Sequence, residues 1–242
     1  MLDLFLPPVC LACDKLIATS DSARLICRRC RTLLRPPPAP LCVRCHAPKL
    51  ITGRIEDATC CEECSAWPTE ITKSRAPFLM HPPADRIVHQ LKYRGWKALA
   101  GQMAAPMAVA AHELMPIDVV MAVPTTRDRL RERGYNQAGL LADAVAKKLN
   151  LQSEVLLERA SSQGTQTTLQ PAARGANVAG AFRLQSYAYA RIQNAHILIV
   201  DDVMTTGATA AECTRVLIDA GARCTSVLTY ARAVDTRRLL GN

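Results

Sequence analysis

Four cysteine pairs, Cys10/Cys13, Cys27/Cys30, Cys42/Cys45 and Cys61/Cys64, each keep a C-x-x-C spacing. Such a knuckle turns two thiolates toward one tetrahedral ion, and two knuckles complete a Zn²⁺ site. Four knuckles therefore predict two sites. Pairing neighbours gives Cys10, Cys13, Cys27 and Cys30 to the first and Cys42, Cys45, Cys61 and Cys64 to the second. Cys60 competes with Cys61, but only Cys61 keeps the two-residue gap to Cys64. With four sulfur ligands neither ion has an open position, so both are expected to be structural. Disulfides are the rival reading. The start, Met1-Leu2-Asp3-Leu4, has neither a basic n-region nor an apolar h-region, which leads us to expect a cytoplasmic protein, where disulfides are rare.

A second constellation runs from Ile197 to Thr209 (Ile-Leu-Ile-Val-Asp-Asp-Val-Met-Thr-Thr-Gly-Ala-Thr). A buried strand delivers Asp201 and Asp202 to its C-terminal end. Thr205, Thr206, Gly207, Ala208 and Thr209 then open a helix. Small residues let backbone N–H groups crowd a phosphate, and the hydroxyls and helix N-terminus add donors and dipole. Two acids beside a phosphate nest make sense if the ligand is a ribose 5-phosphate, whose hydroxyls the acids accept from. The bland alternative is a strand–turn–helix junction with capping threonines.

These groups need elements to position them. Nine of the eleven cysteines precede residue 65, and this density shift marks the domain boundary. Residues 65–80 look like a linker. Ile87, Val88 and Leu91 start an amphipathic helix interrupted near Gly95. Residues 118–123 read as a buried strand ending at Pro124, residues 136–149 as a helix, and residues 161–180 as a polar loop. A strand over 196–200, a helix from Ala208 to the stop at Gly221, and a strand over 224–231 follow. Near-continuous apolar strands alternating with helices imply a parallel sheet.

Composition sets outer bounds. The 242 residues are 49% apolar and 4% aromatic, with a net charge of +9. So few aromatics argue against a single-strand binder built from stacking platforms. The positive balance favours anionic partners, phosphates or nucleic acid. The longest apolar stretch, Met103–Ala111, is far short of a membrane span and contains Pro106. Arg24, Arg28, Arg29, Arg31 and Arg35 around the second knuckle either contact a phosphate backbone or offset the charge of a Cys₄ centre. His46, just after a knuckle, reads as a surface residue.

The Asp-Asp…Thr-Thr-Gly-Ala-Thr segment resembles the signature of type I phosphoribosyltransferases. That resemblance implies that Asp201 and Asp202 hold the ribose hydroxyls and that residues 205–209 form the 5′-phosphate loop. Other pieces follow in order: His89-Gln90-Leu91-Lys92-Tyr93-Arg94-Gly95, Val123-Pro124-Thr125-Thr126-Arg127, Arg133-Gly134-Tyr135-Asn136-Gln137-Ala138, then Gln166, Leu169, Arg174, Asn177 and Ala181-Phe182. Together with the cysteine knuckles this order resembles the ComF/GntX family almost end to end. Asp14 and His46 depart from it, standing where glycine is usual.

The resemblance implies a Rossmann-like α/β fold of the type I phosphoribosyltransferase kind over residues 67–242, behind a double zinc ribbon over 1–66. Its hood would lie near 66–95 and its flexible loop, with Gln166, Arg174 and Asn177, near 161–180. Pro124, Thr125, Thr126, Arg127 and Arg133 would contact pyrophosphate. The ligand would be phosphoribosyl pyrophosphate with Mg²⁺, and the activity a phosphoribosyl transfer to an unidentified acceptor. The alternative is a non-catalytic sensor of that ligand which binds single-stranded DNA and works with DNA-uptake or recombination proteins. No residue pair reads as a general base. Arg127, Arg129, Arg131 and Arg133 form a basic rim that shares a face only if the segment is extended.

Overall fold

A computed structural model describes residues 9–18, 24–49, 61–159 and 180–234. Gln166, Arg174, Asn177 and Cys60 lie outside these residues. In chain order the helices are α1 (Arg28–Thr32), α2 (Glu62–Ser65), α3 (Ala84–Tyr93), α4 (Leu99–Ala111), α5 (Arg127–Arg133), α6 (Gln137–Leu149), α7 (Tyr189–Ile192) and α8 (Ala208–Asp219). The strands are β1 (Ile71–Arg75), β2 (Phe78–Leu79), β3 (Val119–Ala122), β4 (Ser153–Glu154), β5 (Leu157–Arg159), β6 (Phe182–Leu184), β7 (His196–Met204) and β8 (Cys224–Arg232).

The main sheet runs β1-β8-β7-β3-β4, with β2 also on β8, and every pairing in it is parallel. β5 and β6 make a separate antiparallel pair. Parallel strands must be covered on both faces, and the alternation along β7 shows how this chain does it. Leu198 and Val200 pack with α3, α4 and α6 on one face. Ile197 and Ile199 pack with Cys213 and Leu217 of α8 on the other. The result is a mostly parallel sheet with flanking helices behind an N-terminal cysteine module, as expected from the sequence.

Local chemistry sets the element ends. Thr126 caps α5 by accepting from the Arg129 N–H at 3.2 Å, and Gly134 ends it in the left-handed region. Asn136 caps α6 through the Ala138 N–H at 3.1 Å. α3 stops at Arg94, and Gly95 follows with φ of 75°.

Three expectations are corrected. The stretch read as a linker contains β1 and β2, both paired to β8. Lys73 and Arg75 in a five-residue run hid the strand, since an edge strand need not be continuously apolar. The strand expected over 196–200 continues to Met204, so both acids lie inside it. Asp201 remains hydrogen-bond-registered with Thr229 of β8, which sustains the ladder past the apolar run. Third, His46 is partly buried, and its Nδ1 is fully covered without a hydrogen-bond partner. Burial, and then the nearby charge of Arg75, hold its imidazole below the ordinary value. It also has φ of 62°, and Asp14 has φ of 58°, which explains glycine as the usual residue at both positions.

Candidate functional site

Each cysteine cluster brings four Sγ atoms within 4.8 Å of one another, in the two sets expected from the spacing. In the second cluster Cys42–Cys64, Cys45–Cys61 and Cys61–Cys64 lie 3.8, 3.4 and 3.9 Å apart. In the first, Cys13–Cys27 is 3.9 Å. Zinc–sulfur bonds of about 2.3 Å in a tetrahedron require sulfur edges of roughly 3.8 Å, so both clusters suit structural zinc. Cys61 lies in the second cluster, and Cys60 lies outside the described residues.

Backbone donors prepare the thiolates. Burial raises the Cys10 thiol, but N–H groups of Cys27, Ala12 and Cys13 outweigh it and leave the group at about 7. Cys42 is brought to about 6 in the same way, against its own burial. Burial pushes the Cys45 thiol up to about 12 and also raises those of Cys27 and Cys30. A zinc ion would supply the charge that lets all four deprotonate.

The carboxylate and threonine segment lies at the C-terminal end of β7. Asp201, Thr205, Gly207, Ala208 and Thr209 line one recess, and Val123 from the turn after β3 closes its other side. Gly207 gives α8 no side-chain cap, and the Ala208 N–H donates to Thr206 Oγ1 at 3.4 Å, which leaves the later first-turn N–H groups for an anion. Gly207 has φ of +81°, and a Cβ there would stand 2.4 Å from the Trp67 ring. Glycine is thus required twice over, by backbone conformation and by close approach. The Trp67 Nε1–H donates to the Thr206 carbonyl at 2.9 Å, so Thr206 is anchored from outside the recess.

The two acids separate. Alternation along a strand sends neighbouring side chains to opposite faces. Asp201 faces the recess, while Asp202, 3% exposed, turns to α3 and pairs with Lys92 Nζ at 2.8 Å. Burial, and then the negative charge of Asp202, push the Asp201 carboxyl up to about 7. Mg²⁺ takes oxygen ligands, often one or two carboxylates plus phosphate oxygens. Asp201 fits that role; Asp202 already carries a cation.

Arg127–Arg133 forms a helix, so the alternate arginines cannot share one face. Arg127, Arg129 and Arg131 are exposed. Arg133 instead donates to Gln137 Oε1 at 3.0 Å and lies over the Tyr93 ring, 4.8 Å from its centre. Asn136 donates from Nδ2 to the Val123 carbonyl at 3.0 Å, fixing the turn that contains Pro124, Thr125 and Thr126. Sequence reasoning gave no role to Trp67, Lys92 or Asn136. Lys92 and Asn136 stood within quoted motifs, but their partners are remote in sequence. Tryptophan three residues past a zinc knuckle was the one available hint for Trp67.

Residues 1–73 match the model of the double zinc ribbon domain. The chain is 30% identical over 242 residues to the DNA utilization protein YhgH of Salmonella typhimurium, covering 96% of this chain and 100% of that protein. It is 23% identical to competence protein ComFC of Bacillus subtilis, over 88% of this chain and 90% of that one. Competence protein F of Haemophilus influenzae is 31% identical over 171 residues, 69% of each chain. Among solved structures, glutamine phosphoribosylpyrophosphate amidotransferase from B. subtilis overlaps 58% of this chain and 26% of its own, at 21% identity and TM-score 0.37. Adenine phosphoribosyltransferase from Saccharomyces cerevisiae overlaps 64% of this chain and 75% of its own, at 16% identity and TM-score 0.35. With end-to-end similarity to YhgH and a double zinc ribbon at its N-terminus, this chain belongs to the ComF/YhgH family of competence and DNA utilization proteins.

Proposed function

We propose that this chain binds phosphoribosyl pyrophosphate with Mg²⁺ in the recess at the end of β7, and that it transfers the phosphoribosyl group to an acceptor. The observation that carries this reading is the shared lining of one recess by Asp201 and the loop residues Thr205, Gly207, Ala208 and Thr209. The 5′-phosphate sits on the start of α8, beside the Thr206 hydroxyl that accepts from the Ala208 N–H. Asp201 accepts from a ribose hydroxyl, and Arg127 at the facing turn meets the pyrophosphate. Asp201 would hold Mg²⁺, which when bound would supply positive charge toward the leaving pyrophosphate. The protein contributes positioning and charge stabilisation, which suffice for a transition state that spreads positive charge over the ribose ring. Calorimetry with phosphoribosyl pyrophosphate and Mg²⁺ tests the reading. Binding by wild type that is lost in Asp201→Asn combined with Thr206→Ala and Thr209→Ala supports it; no binding by zinc-loaded wild type removes it.

A second reading, single-stranded DNA binding, is favoured by a separate surface. The aromatics are few but not dispersed: Tyr93 is 59% exposed and Trp96 43%, three residues apart. Arg133 lies over Tyr93, and Lys97 lies over Tyr135 at 4.9 Å. Arg94 and the exposed arginines of α5 add charge. Stacking on an exposed ring contributes about 1–3 kcal/mol per base. Anisotropy with a labelled oligothymidylate tests it: Tyr93→Ala/Trp96→Ala is expected to weaken binding at least tenfold, and unchanged affinity would remove this reading.

A further inference from the structure

Lys92 is the third member of the acid constellation, although it lies 110 positions before Asp202 in the sequence. Its ammonium stands 2.8 Å from Asp202 Oδ1, and its side chain is 23% exposed while that of Asp202 is 4%. The other Asp202 oxygen, Oδ2, is buried without a hydrogen-bond partner. Two adjacent carboxylates at the end of β7 would by themselves repel a phosphorylated ligand. A charge pair at hydrogen-bond distance in a partly water-excluded site interacts far more strongly than one in bulk water. A buried carboxylate without its partner would be strongly unfavourable.

We propose that Lys92 is a positioning residue that serves as the resident counter-cation of the Asp201–Asp202 pair, so that the 5-phosphoribosyl group binds without a divalent ion. Mg²⁺ is then needed for the pyrophosphate portion of the ligand and not for the ribose 5-phosphate portion. This rests on the phosphoribose reading of the recess.

The geometry that supports it is specific. α3 buries Ile87, Val88 and Leu91 against the sheet, which fixes its rotation and leaves Lys92 directed at β7. The first cysteine cluster clamps the same helix. Gln90 Nε2 donates to the Leu11 carbonyl at 3.1 Å, and Arg86 Nη1 to the Ala12 carbonyl at 3.2 Å. Lys92 thus projects from a helix that is held by both the sheet and the first cluster, and its ammonium is set against Asp202.

The probe is ribose 5-phosphate, which lacks the pyrophosphate. Its affinity is measured by calorimetry on the full zinc-loaded chain, in buffer freed of Mg²⁺ by treatment with a chelating resin and in 5 mM Mg²⁺. Wild type is expected to bind with affinities within about threefold of one another in the two buffers. Lys92→Met is expected to lose at least tenfold without Mg²⁺ and to recover most of that loss with it. Lys92→Arg is expected to restore Mg²⁺-independent binding, which a merely structural role for the side chain would not predict. Wild-type binding that needs Mg²⁺, or Lys92→Met binding as well as wild type without it, would overturn the proposal. If wild type binds neither ribose 5-phosphate nor phosphoribosyl pyrophosphate in either buffer, the phosphoribose reading itself falls and this inference with it.

Discussion

The two cysteine clusters have the same four-sulfur chemistry but brace different parts of the molecule. The first is continuous with the core under α3 and α4. Through α3 it supports Lys92, whose ammonium pairs with Asp202 behind the recess. The second shares a core with Trp67, Met204, Ala210 and Ala211, which flank the loop between β7 and α8. Arg232, 1% exposed at the end of β8, donates to the Cys45 carbonyl at 2.8 Å and pairs with Glu63 at 2.5 Å. Arg44 donates to the carbonyls of Ile71 and Cys64 at 3.0 and 2.9 Å, and also to Pro68. The lesson is that a metal knuckle can substitute for hydrophobic core in two ways: by holding a helix, or by holding the loop that would bind the ligand.

The contrast can be broken most severely at the cysteines. Cys42→Ser/Cys45→Ser should release one zinc and abolish phosphoribosyl pyrophosphate binding, because structural zinc contributes on the order of 10 kcal/mol to folding its module. Cys10→Ser/Cys13→Ser should also release one zinc and lower the thermal midpoint, yet retain binding in Mg²⁺. Zinc content by atomic absorption, with calorimetry on the same samples, reads both. Equal loss of binding in the two variants would erase the distinction.

Gly207→Ala probes the contact between the second cluster's tryptophan and the loop. Its Cβ meets the Trp67 ring in a backbone region with φ of +81°, so a loss of about 2–3 kcal/mol is expected. Urea denaturation should show that this loss shrinks when Trp67→Leu is already present, since the two residues are in direct contact. A fully additive double variant would mean that backbone strain alone sets the requirement for glycine.

Trp67→Phe keeps a ring against Gly207 but removes the N–H donor to the Thr206 carbonyl. About 1–2 kcal/mol of stability should be lost, with a weaker affinity for ribose 5-phosphate. Unchanged affinity would confine Trp67 to packing. The smallest effect separates the strand end from both clusters. The Asp201 carboxyl is raised from 3.8 to about 7 in the folded chain, so its stabilising contribution is complete below about pH 4 and disappears as pH rises through about 7. Stability without ligand should fall across that window by about 1 kcal/mol after allowance for the water that reaches the recess. Asp201→Asn should flatten this part of a stability profile measured between pH 5 and 8. A slope that survives the substitution would assign the titration elsewhere.

Much of this was legible in the chain itself. Knuckle spacing named the eight cysteines of the two clusters because C-x-x-C geometry is local. The apolar run before Asp201 announced a buried parallel strand, and the small residues after it announced the loop. What escaped was of another kind. β1 escaped because an edge strand tolerates Lys73 and Arg75. The partial burial of His46 escaped because the groups around it, Arg75, Glu113 and Arg232 among them, are remote in sequence. The arginines of α5 were left undecided between helix and extended chain, and the Thr126 and Gly134 caps settled the helix.

The sequence by itself therefore determined two four-sulfur clusters, a mostly parallel sheet and a carboxylate–threonine segment at one strand end, since each depends on residues close along the chain. Tertiary structure alone decided which of Asp201 and Asp202 meets the recess, that Lys92 pairs with the other, and that Trp67, 139 residues before Thr206, holds the loop. Periodicity gives the face on which a side chain lies. Only the packing of the sheet against α3 and the second cluster selects the partner it meets there.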